Sequence, residues 1–586
     1  MRQWMVAAKK ADFYAIAEKF HVDPVVARII RNREVIGEKN IRIYLGGNLS
    51  DLSDPHQMKD MDRLVEILAQ KIRKQVHIRI IGDYDVDGVT SSHLFLTALR
   101  RVGAKVDVVI PHRIQDGYGL SLHLLQQAKE DGVDTILTCD NGIAAIDEIA
   151  WAKAQKMTVL VTDHHAVPFE EHEGRRTEKK SLADAVVNPH QQDCRYPYKE
   201  LCGAGVAWNV IRVLYENYDM DKREAEDLLD FVAMATVCDV MSLTGENRIL
   251  VKEGLKRIRH TKNIGLQALM QACNVQPENI SAYHFGYVLG PCVNATGRLD
   301  TARHALRLFE TGQETEAEEI ARDLVDLNQE RKELTLQGVE MAKKLCEEGG
   351  YENDPVLVLF LPDVHESIAG LIAGRIREMY NRPVFVLTRG EEGVKGSGRS
   401  TENYSMYENM CGCAELFTKF GGHPMAAGVS LPEEKVEKFR RKINENCPLT
   451  VEEVCPDIHI DMAMPVGYAS TELVHQFALL EPFGKDNPSP LFADRNLSIS
   501  RMWVIGKNRN VLRMSVLSEY GQPVPVIFFG DVETLFAYFT EKFGQEEVEN
   551  ALHGRKNRIL FSMVYTAKID FYQGNENLQL EMKYYR

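Results

Sequence analysis

The chain has 586 residues, 44% hydrophobic and 26% charged, the balance of a soluble globular protein large enough for several domains. It holds no run of eighteen apolar residues and opens on Met1-Arg2-Gln3-Trp4, so neither a membrane span nor a secretory leader is expected, and its eleven scattered cysteines fit reduced thiols in the cytoplasm. A net charge of −15 excludes a generally basic, nonspecific nucleic-acid binder but leaves room for a local basic channel.

Residues 1–60 carry helical patterns that give way to an irregular stretch at Leu52-Ser53-Asp54-Pro55. From 75 to 190, strand patterns at 77–81, 105–110, 135–139, 158–162 and 183–188 alternate with helices such as 120–130 and 144–155. Such alternation predicts a parallel sheet covered on both faces. Residues 203–272 read as helices, among them an almost wholly apolar one at 231–240, and 302–348 reads as a long connector rich in Glu, Lys, Arg and Leu. A second α/β unit follows, with strands at 356–360 and 383–387 around a helix at 370–380, then Gly-rich segments at 395–400 and 421–428. Glycines there permit close backbone approach and Ser, Arg and His suit phosphate, although two tight turns explain the segments equally well. From 456 onward, strands at 497–505, 511–517, 524–529, 559–566 and 578–583, with a helix at 532–543 between the third and fourth, predict an OB-type barrel. Lys507, Arg509, Arg513, Phe528, Phe529 and Tyr565 are candidates for charge and base stacking on it, although alternating aromatics are more often barrel core.

The chemistry gathers where the first sheet's strands end. The strand at 77–81 runs into Asp83-Tyr84-Asp85-Val86-Asp87-Gly88, three carboxylates at alternate positions. Alternate residues of an extended chain point the same way, and like charges so close call for a cation. An ordinary Asp/Gly turn is the plain alternative; a calcium loop is not, because the twelfth position from Asp83 is Leu94 where that loop needs Glu. The strand at 135–139 ends in Asp140-Asn141-Gly142, and that at 158–162 in Asp163-His164-His165. In parallel sheets the ligand lies beyond the carboxyl ends of the strands, so three strands ending in metal-ligand residues point to one site. Asp239, at the end of an apolar helix, faces a cation or caps that helix.

In this order, Asp-x-Asp-x-Asp-Gly, Asp-Asn-Gly, Asp-His-His and Val237-Cys238-Asp239-Val240-Met241-Ser242-Leu243 resemble the DHH phosphoesterase superfamily. Within it the chain is similar to the RecJ family through the segments at 116–120, 294–299, 395–400, 421–423 and 482–484 and through the barrel. The resemblance implies an α/β multidomain fold: a segment at 1–60, a parallel-sheet DHH domain at 61–300, a connector helix at 301–350, a DHH-associated α/β domain at 351–450 and an OB-type barrel at 451–586. It implies a site for two divalent ions, Mn²⁺ favoured and Mg²⁺ possible, held by Asp85, Asp87, Asp140, His164 and Asp239. His165 is then the substrate-facing histidine and Asp163 its support, while Arg298, Asn294, Ser397, Arg399 and His423 bind substrate. Two positions depart from the superfamily pattern. Ile81 stands where many members carry a histidine, so Asp83 is expected to take that place, and Cys292 replaces an arginine often found two residues before the matching Asn.

The activity so implied is hydrolysis of single-stranded DNA from the 5′ end to mononucleotides, in repair and recombination, by a cytoplasmic monomer. A RecQ-type helicase and a single-strand-binding protein are the implied partners. Other phosphoesterases of this superfamily, acting on very short oligonucleotides or cyclic dinucleotides, are the first alternative; they lack the barrel. An inert nucleic-acid-binding scaffold is the second, and it predicts eroded metal ligands.

Overall fold

The structure is a computed structural model that describes residues 3–113, 116, 119–172, 175–390, 393–506, 510–572 and 574–586. They form two compact units, one of residues 48–456 and one of 3–47 with 457–586. Among the described residues no helix is long and apolar enough to cross a membrane.

The first unit is built on a parallel sheet of β1 (His77–Ile81), β2 (Lys105–Val109), β3 (Thr135–Cys139), β4 (Thr158–Thr162) and β5 (Ala185–Val187), in the order β2-β1-β3-β4-β5. The strands are short apolar runs, and Ile78, Ile80, Leu137 and Leu160 are completely buried, as a sheet covered on both faces requires. Register places Ile81 beside Thr138 and Cys139 beside Thr162, so β1, β3 and β4 end level with one another. Helix α1 (Val86–Arg101) leaves β1; α2 (Gly203–Asn217), α3 (Leu229–Cys238), α4 (Ile264–Ala272) and α5 (Gly290–Leu299) follow the sheet. The apolar helix expected at 231–240 thus runs from Leu229 to Cys238, with Asp239 as its C-cap.

The expected connector is broken at Thr311–Gln313 into a short helix, Arg303–Glu310, and the 35-residue α6 (Glu314–Glu348). At 1.5 Å per residue α6 spans about 52 Å. It packs against α4 and α5 at one end and against α7 (Ala369–Tyr380) at the other. There a second sheet is formed by β6 (Leu357–Phe360), β7 (Val384–Gly390), β8 (Gly393–Arg399), β9 (Lys419–His423) and β10 (Ala426–Leu431), in the order β9-β10-β8-β7-β6. Both Gly-rich segments therefore lie in strands, β8 and the β9–β10 hairpin. The reason is packing: a Cβ on Gly396 would sit 2.2 Å from Leu387 Cδ2, and one on Gly398 2.3 Å from Met406 Sδ.

In the second unit, β11 (Phe492–Ile505), β12 (Val511–Leu517), β13 (Pro523–Phe529), β14 (Leu560–Tyr572) and β15 (Asn575–Tyr585) close on themselves through β11–β14 pairing. The helix α8 (Val532–Phe543) lies between β13 and β14 in sequence, as expected for an OB-type barrel. Of the aromatics considered for stacking, Phe528 and Tyr565 are core residues, Tyr565 donating its hydroxyl to Met464 O at 2.8 Å, whereas Phe529 is 55% exposed. Arg513 is exposed, and Lys507 and Arg509 lie outside the described residues. The helices Phe13–Phe20, Pro24–Asn32 and Glu38–Gly46 pack onto this unit through Val26, Ile29, Ile30 and Tyr44.

Candidate metal centre and adjoining basic cavity

The turn after β1 is wound too tightly for side chains where its glycines stand. A Cβ on Gly88 would come within 2.4 Å of the Asp83 carbonyl oxygen, and one on Gly82 within 2.1 Å of Ser92 Oγ. Asp85 caps α1, its Oδ1 accepting from Gly88 N at 3.0 Å. Asp87 lies in the first turn of α1, and its two oxygens accept from the first amides of α2, Gly203 N at 2.6 Å and Ala204 N at 2.7 Å. Two helix N-termini thus converge on the carboxylates.

Asp140, at the end of β3, is held at φ 61°, the left-handed region. A Cβ on Gly203 would lie 2.6 Å from its Cβ. Asp163, at the end of β4, accepts from Ile143 N at 2.8 Å, His164 N at 2.7 Å, His165 N at 3.0 Å and His165 Nδ1 at 2.7 Å. Burial alone would raise its pKa, but the bond and charge of His165 outweigh burial and hold it below the ordinary carboxylate value. His165 responds in the opposite sense: burial lowers it, yet the Asp163 bond and charge lift it to about 9.

His164 Nε2 lies 3.0 Å from Asp140 Oδ1, 3.6 Å from Asp239 Oδ2 and 3.7 Å from Asp87 Oδ2. Burial holds this imidazole below its ordinary pKa, which keeps a ring lone pair available to a metal. Ligand atoms of Asp87, His164 and Asp239 fall within 4.8 Å of one another, as do those of Asp83, Asp85 and Asp140, and those of Asp140, His164 and His165. Asp140 thus belongs to the second carboxylate group and also meets His164 of the first. Burial followed by Asp85 pushes the Asp83 pKa up, burial and Asp87 raise Asp85, and burial, Asp87 and Asp85 raise Asp140. Asp83 Oδ1 and His164 Nε2 are buried without a hydrogen bond. Oxygen and imidazole donors that repel one another and leave such atoms unsatisfied fit a hard to borderline divalent ion. Ile81 is wholly buried in the sheet core, and Asp83, two residues on, converges with Asp85 and Asp140.

Beside the carboxylates, Arg113 stacks on the Tyr84 ring at 4.8 Å from its centroid. Both line a cavity of about 430 Å³ together with Ser367, Lys395, Ser397 and Lys419. Arg298 donates from Nη1 to Ser367 O at 2.7 Å, and Arg399 to Gly398 O at 2.7 Å. Burial and then Arg113, Arg331 and Arg399 push Arg298 down to about 10; burial, Arg377 and Arg113 lower Arg399. Crowded guanidinium groups of this kind are relieved by an anion.

Of the expected substrate residues, Ser397 lines the cavity, Arg298 is bonded to the wall residue Ser367, and Arg399 lies two residues beyond Ser397 on β8 without lining it. Asn294 does not line the cavity; its Oδ1 accepts from Val86 N at 3.2 Å, so α5 braces the Asp85–Asp87 turn. His423 is exposed at the end of β9 and does not line the cavity. Sequence reasoning missed Arg113, Lys419 and the α2 amides, and held Lys395 only as the first residue of the Gly-rich segment at 395–400. The available signals were a basic residue just beyond β2 and the helix-opening Gly203-Ala204-Gly205.

Comparison with known proteins agrees with this architecture. Residues 77–236 match the DHH family, N-terminal domain; 353–447 match the DHHA1 domain; and 460–584 match the RecJ OB domain. The chain is 32% identical to the single-stranded-DNA-specific exonuclease RecJ of Haemophilus influenzae, over 96% of each chain. It is 33% identical to the protein of the same name from Bacillus subtilis over 87% of this chain, spanning 63% of that longer relative. Its fold superimposes on the crystal structure of RecJ from Thermus thermophilus in complex with Mn²⁺ with a TM-score of 0.81 at 25% identity, covering all of this chain and 79% of the other.

Proposed function

Because the chain belongs to the RecJ family, we propose that it hydrolyses single-stranded DNA from the 5′ end, releasing 5′-mononucleotides, in cytoplasmic DNA repair and recombination. The observation that carries this reading is the pair of ligand clusters meeting at Asp140, set beside a basic cavity through Tyr84 and Arg113.

Asp87, Asp140, His164 and Asp239 would hold one divalent ion, and Asp83, Asp85 and Asp140 a second, with Mn²⁺ favoured and Mg²⁺ acceptable to the same donors. When bound, such a pair supplies the Lewis acidity that activates water and neutralises charge at phosphorus. The remaining work falls to side chains. Asp163 fixes the His165 ring through Nδ1, leaving Nε2 to donate to a phosphate oxygen. The α2 amides and Asn294 hold the carboxylates and their turn in place before substrate arrives. Arg113, Lys395, Ser397 and Lys419 bind the terminal 5′-phosphate, with Arg298 and Arg399 adding positive potential. A terminal phosphate held at a fixed distance from the carboxylates gives cleavage one nucleotide at a time from that end. A RecQ-type helicase and a single-strand-binding protein are the partners this role calls for.

The test is cleavage with Mn²⁺ of a 5′-labelled strand, a 3′-labelled strand and the blunt duplex. Early release of labelled mononucleotide from the 5′ label alone, with the duplex spared, is the expected result. Cleavage confined to very short oligonucleotides would replace this reading with that of another DHH phosphoesterase.

A further inference from the structure

Away from the carboxylates, two thiols meet beneath α5. Cys273 is the C-cap of α4 and Cys292 lies in the first turn of α5, with their sulfurs 3.8 Å apart. Cys292 is 2% exposed; its Sγ donates to Val288 O at 3.3 Å and accepts from Asn328 Nδ2, on α6, at 3.3 Å. Cys273 is only half-buried. The adjoining Cys292 sulfur and, against burial, the Lys332 ammonium hold the Cys273 thiol below its ordinary pKa. A thiol so placed is the more accessible nucleophile, with a partner sulfur already in van der Waals contact.

The position of the pair gives it consequence. Two residues beyond Cys292, Asn294 holds Val86 N; Gly297 lets α5 approach so closely that a Cβ there would meet Tyr84 O at 2.5 Å; and Arg298 reaches Ser367 O. A disulfide needs sulfurs about 2.05 Å apart, so closing the gap moves them together by about 1.7 Å. It also strips Cys292 Sγ of its bond to Val288 O. Cys273, at a helix end, can give part of that movement, and α5 must give the rest.

We propose that Cys273 and Cys292 form an oxidisable pair whose disulfide displaces α5 and so weakens the bracing of the Asp85–Asp87 turn. The co-reactant is a peroxide. The Cys273 thiolate attacks one oxygen of hydrogen peroxide, the O–O bond breaks, and hydroxide leaves and takes up a proton as water. Cys292 then loses its proton and attacks the Cys273 sulfur, and the S–O bond of the sulfenic acid breaks to release a second water. Overall, two thiols lose two electrons and two protons, and one peroxide is reduced to two waters.

The experiment uses the full chain, treated with a small excess of hydrogen peroxide, alkylated, and mapped without reduction. The expected result is a linked peptide pair joining Cys273 to Cys292, released by dithiothreitol. Absence of that pair overturns the proposal, and this arm is independent of the exonuclease reading. In parallel, the initial rate of strand cleavage is followed before oxidation, after it and after reduction. A loss on the order of tenfold, recovered with dithiothreitol, is expected from sub-ångström displacement at the site. A linked protein that cleaves at the reduced rate overturns the coupling to α5. The C273S variant, which removes no group from the site, should cleave at the basal rate and lose the response to peroxide; a retained response also overturns the proposal.

Discussion

Gly203→Ala tests whether the carboxylates depend on the close approach of α2. The added methyl would lie 2.6 Å from Asp140 Cβ, 2.8 Å from its Oδ1 and 3.0 Å from its Cα. Asp140 cannot swing aside, because its backbone is already held at φ 61°. The start of α2 must therefore retreat by about 0.8–1 Å to restore an ordinary carbon–carbon contact. The bonds from Gly203 N and Ala204 N to Asp87, now 2.6 and 2.7 Å, would open to about 3.5 Å, at the limit of a hydrogen bond. Hydrogen bonds to a charged group contribute about 1.5–3 kcal/mol each, and overpacking costs about 1–3 kcal/mol. The variant should melt earlier, bind Mn²⁺ more weakly and lose about 10²-fold in kcat/KM. Calorimetric Mn²⁺ titration and initial rates on a labelled strand measure the second and third. Gly374→Ala, inside α7 with nothing within 4 Å of the new methyl, is the control and should stabilise by about 0.5–1 kcal/mol. A Gly203→Ala protein with unchanged Mn²⁺ affinity and rate would refute the argument that α2 presses on the site.

Asp140→Ala should abolish cleavage and weaken Mn²⁺ binding while strand binding, followed by fluorescence anisotropy, persists; cleavage at the wild-type rate would remove Asp140 from the site. Arg113→Ala should raise KM for 5′-phosphorylated strands by about 10–100-fold, the value of one charge-assisted bond, and leave 5′-hydroxyl strands nearly unaffected. Asp230, accepting from Phe231 N and Thr261 Oγ1, is buried, and burial pushes its carboxyl up to about 6. The folded state therefore holds a proton between pH ~4 and 6 that the unfolded chain releases, so this group's contribution to stability falls as pH rises through that window, by on the order of 3 kcal/mol. The melting temperature of Asp230→Asn should gain on that of the wild type between pH 4.5 and 7.5 (roughly that window and beyond); parallel pH profiles would sink this assignment.

Much of the carboxylate cluster was legible because it depends on strand ends, and strand ends show in a sequence as apolar runs that stop at Asp. Asp83, Asp140 and Asp163 become neighbours as soon as β1, β3 and β4 are parallel and level. The donors on the other side were not legible, since the amides of Gly203 and Ala204 are backbone groups without residue identity. Asn294 was expected to bind substrate only through the family resemblance, and nothing in the sequence showed that its oxygen also serves the chain itself. The Gly-rich strands hid for a different reason: Gly396 and Gly398 are required by neighbours 2.2 and 2.3 Å from a would-be Cβ, and that pressure comes from tertiary packing. Phe528 and Tyr565 followed the rule for alternating aromatics and went to the core.

The second unit joins residues 3–47 to residues 457–586, with about 410 residues made in between. At synthesis rates of about 5–20 residues per second, the apolar faces of the first helices wait roughly 20–80 s for the strands that cover them. Val26, Ile29 and Ile30, wholly buried in the finished protein, are exposed on the ribosome for that interval. Folding of this unit therefore waits on its second segment, and the apolar faces of its first helices stay uncovered until that segment has been made.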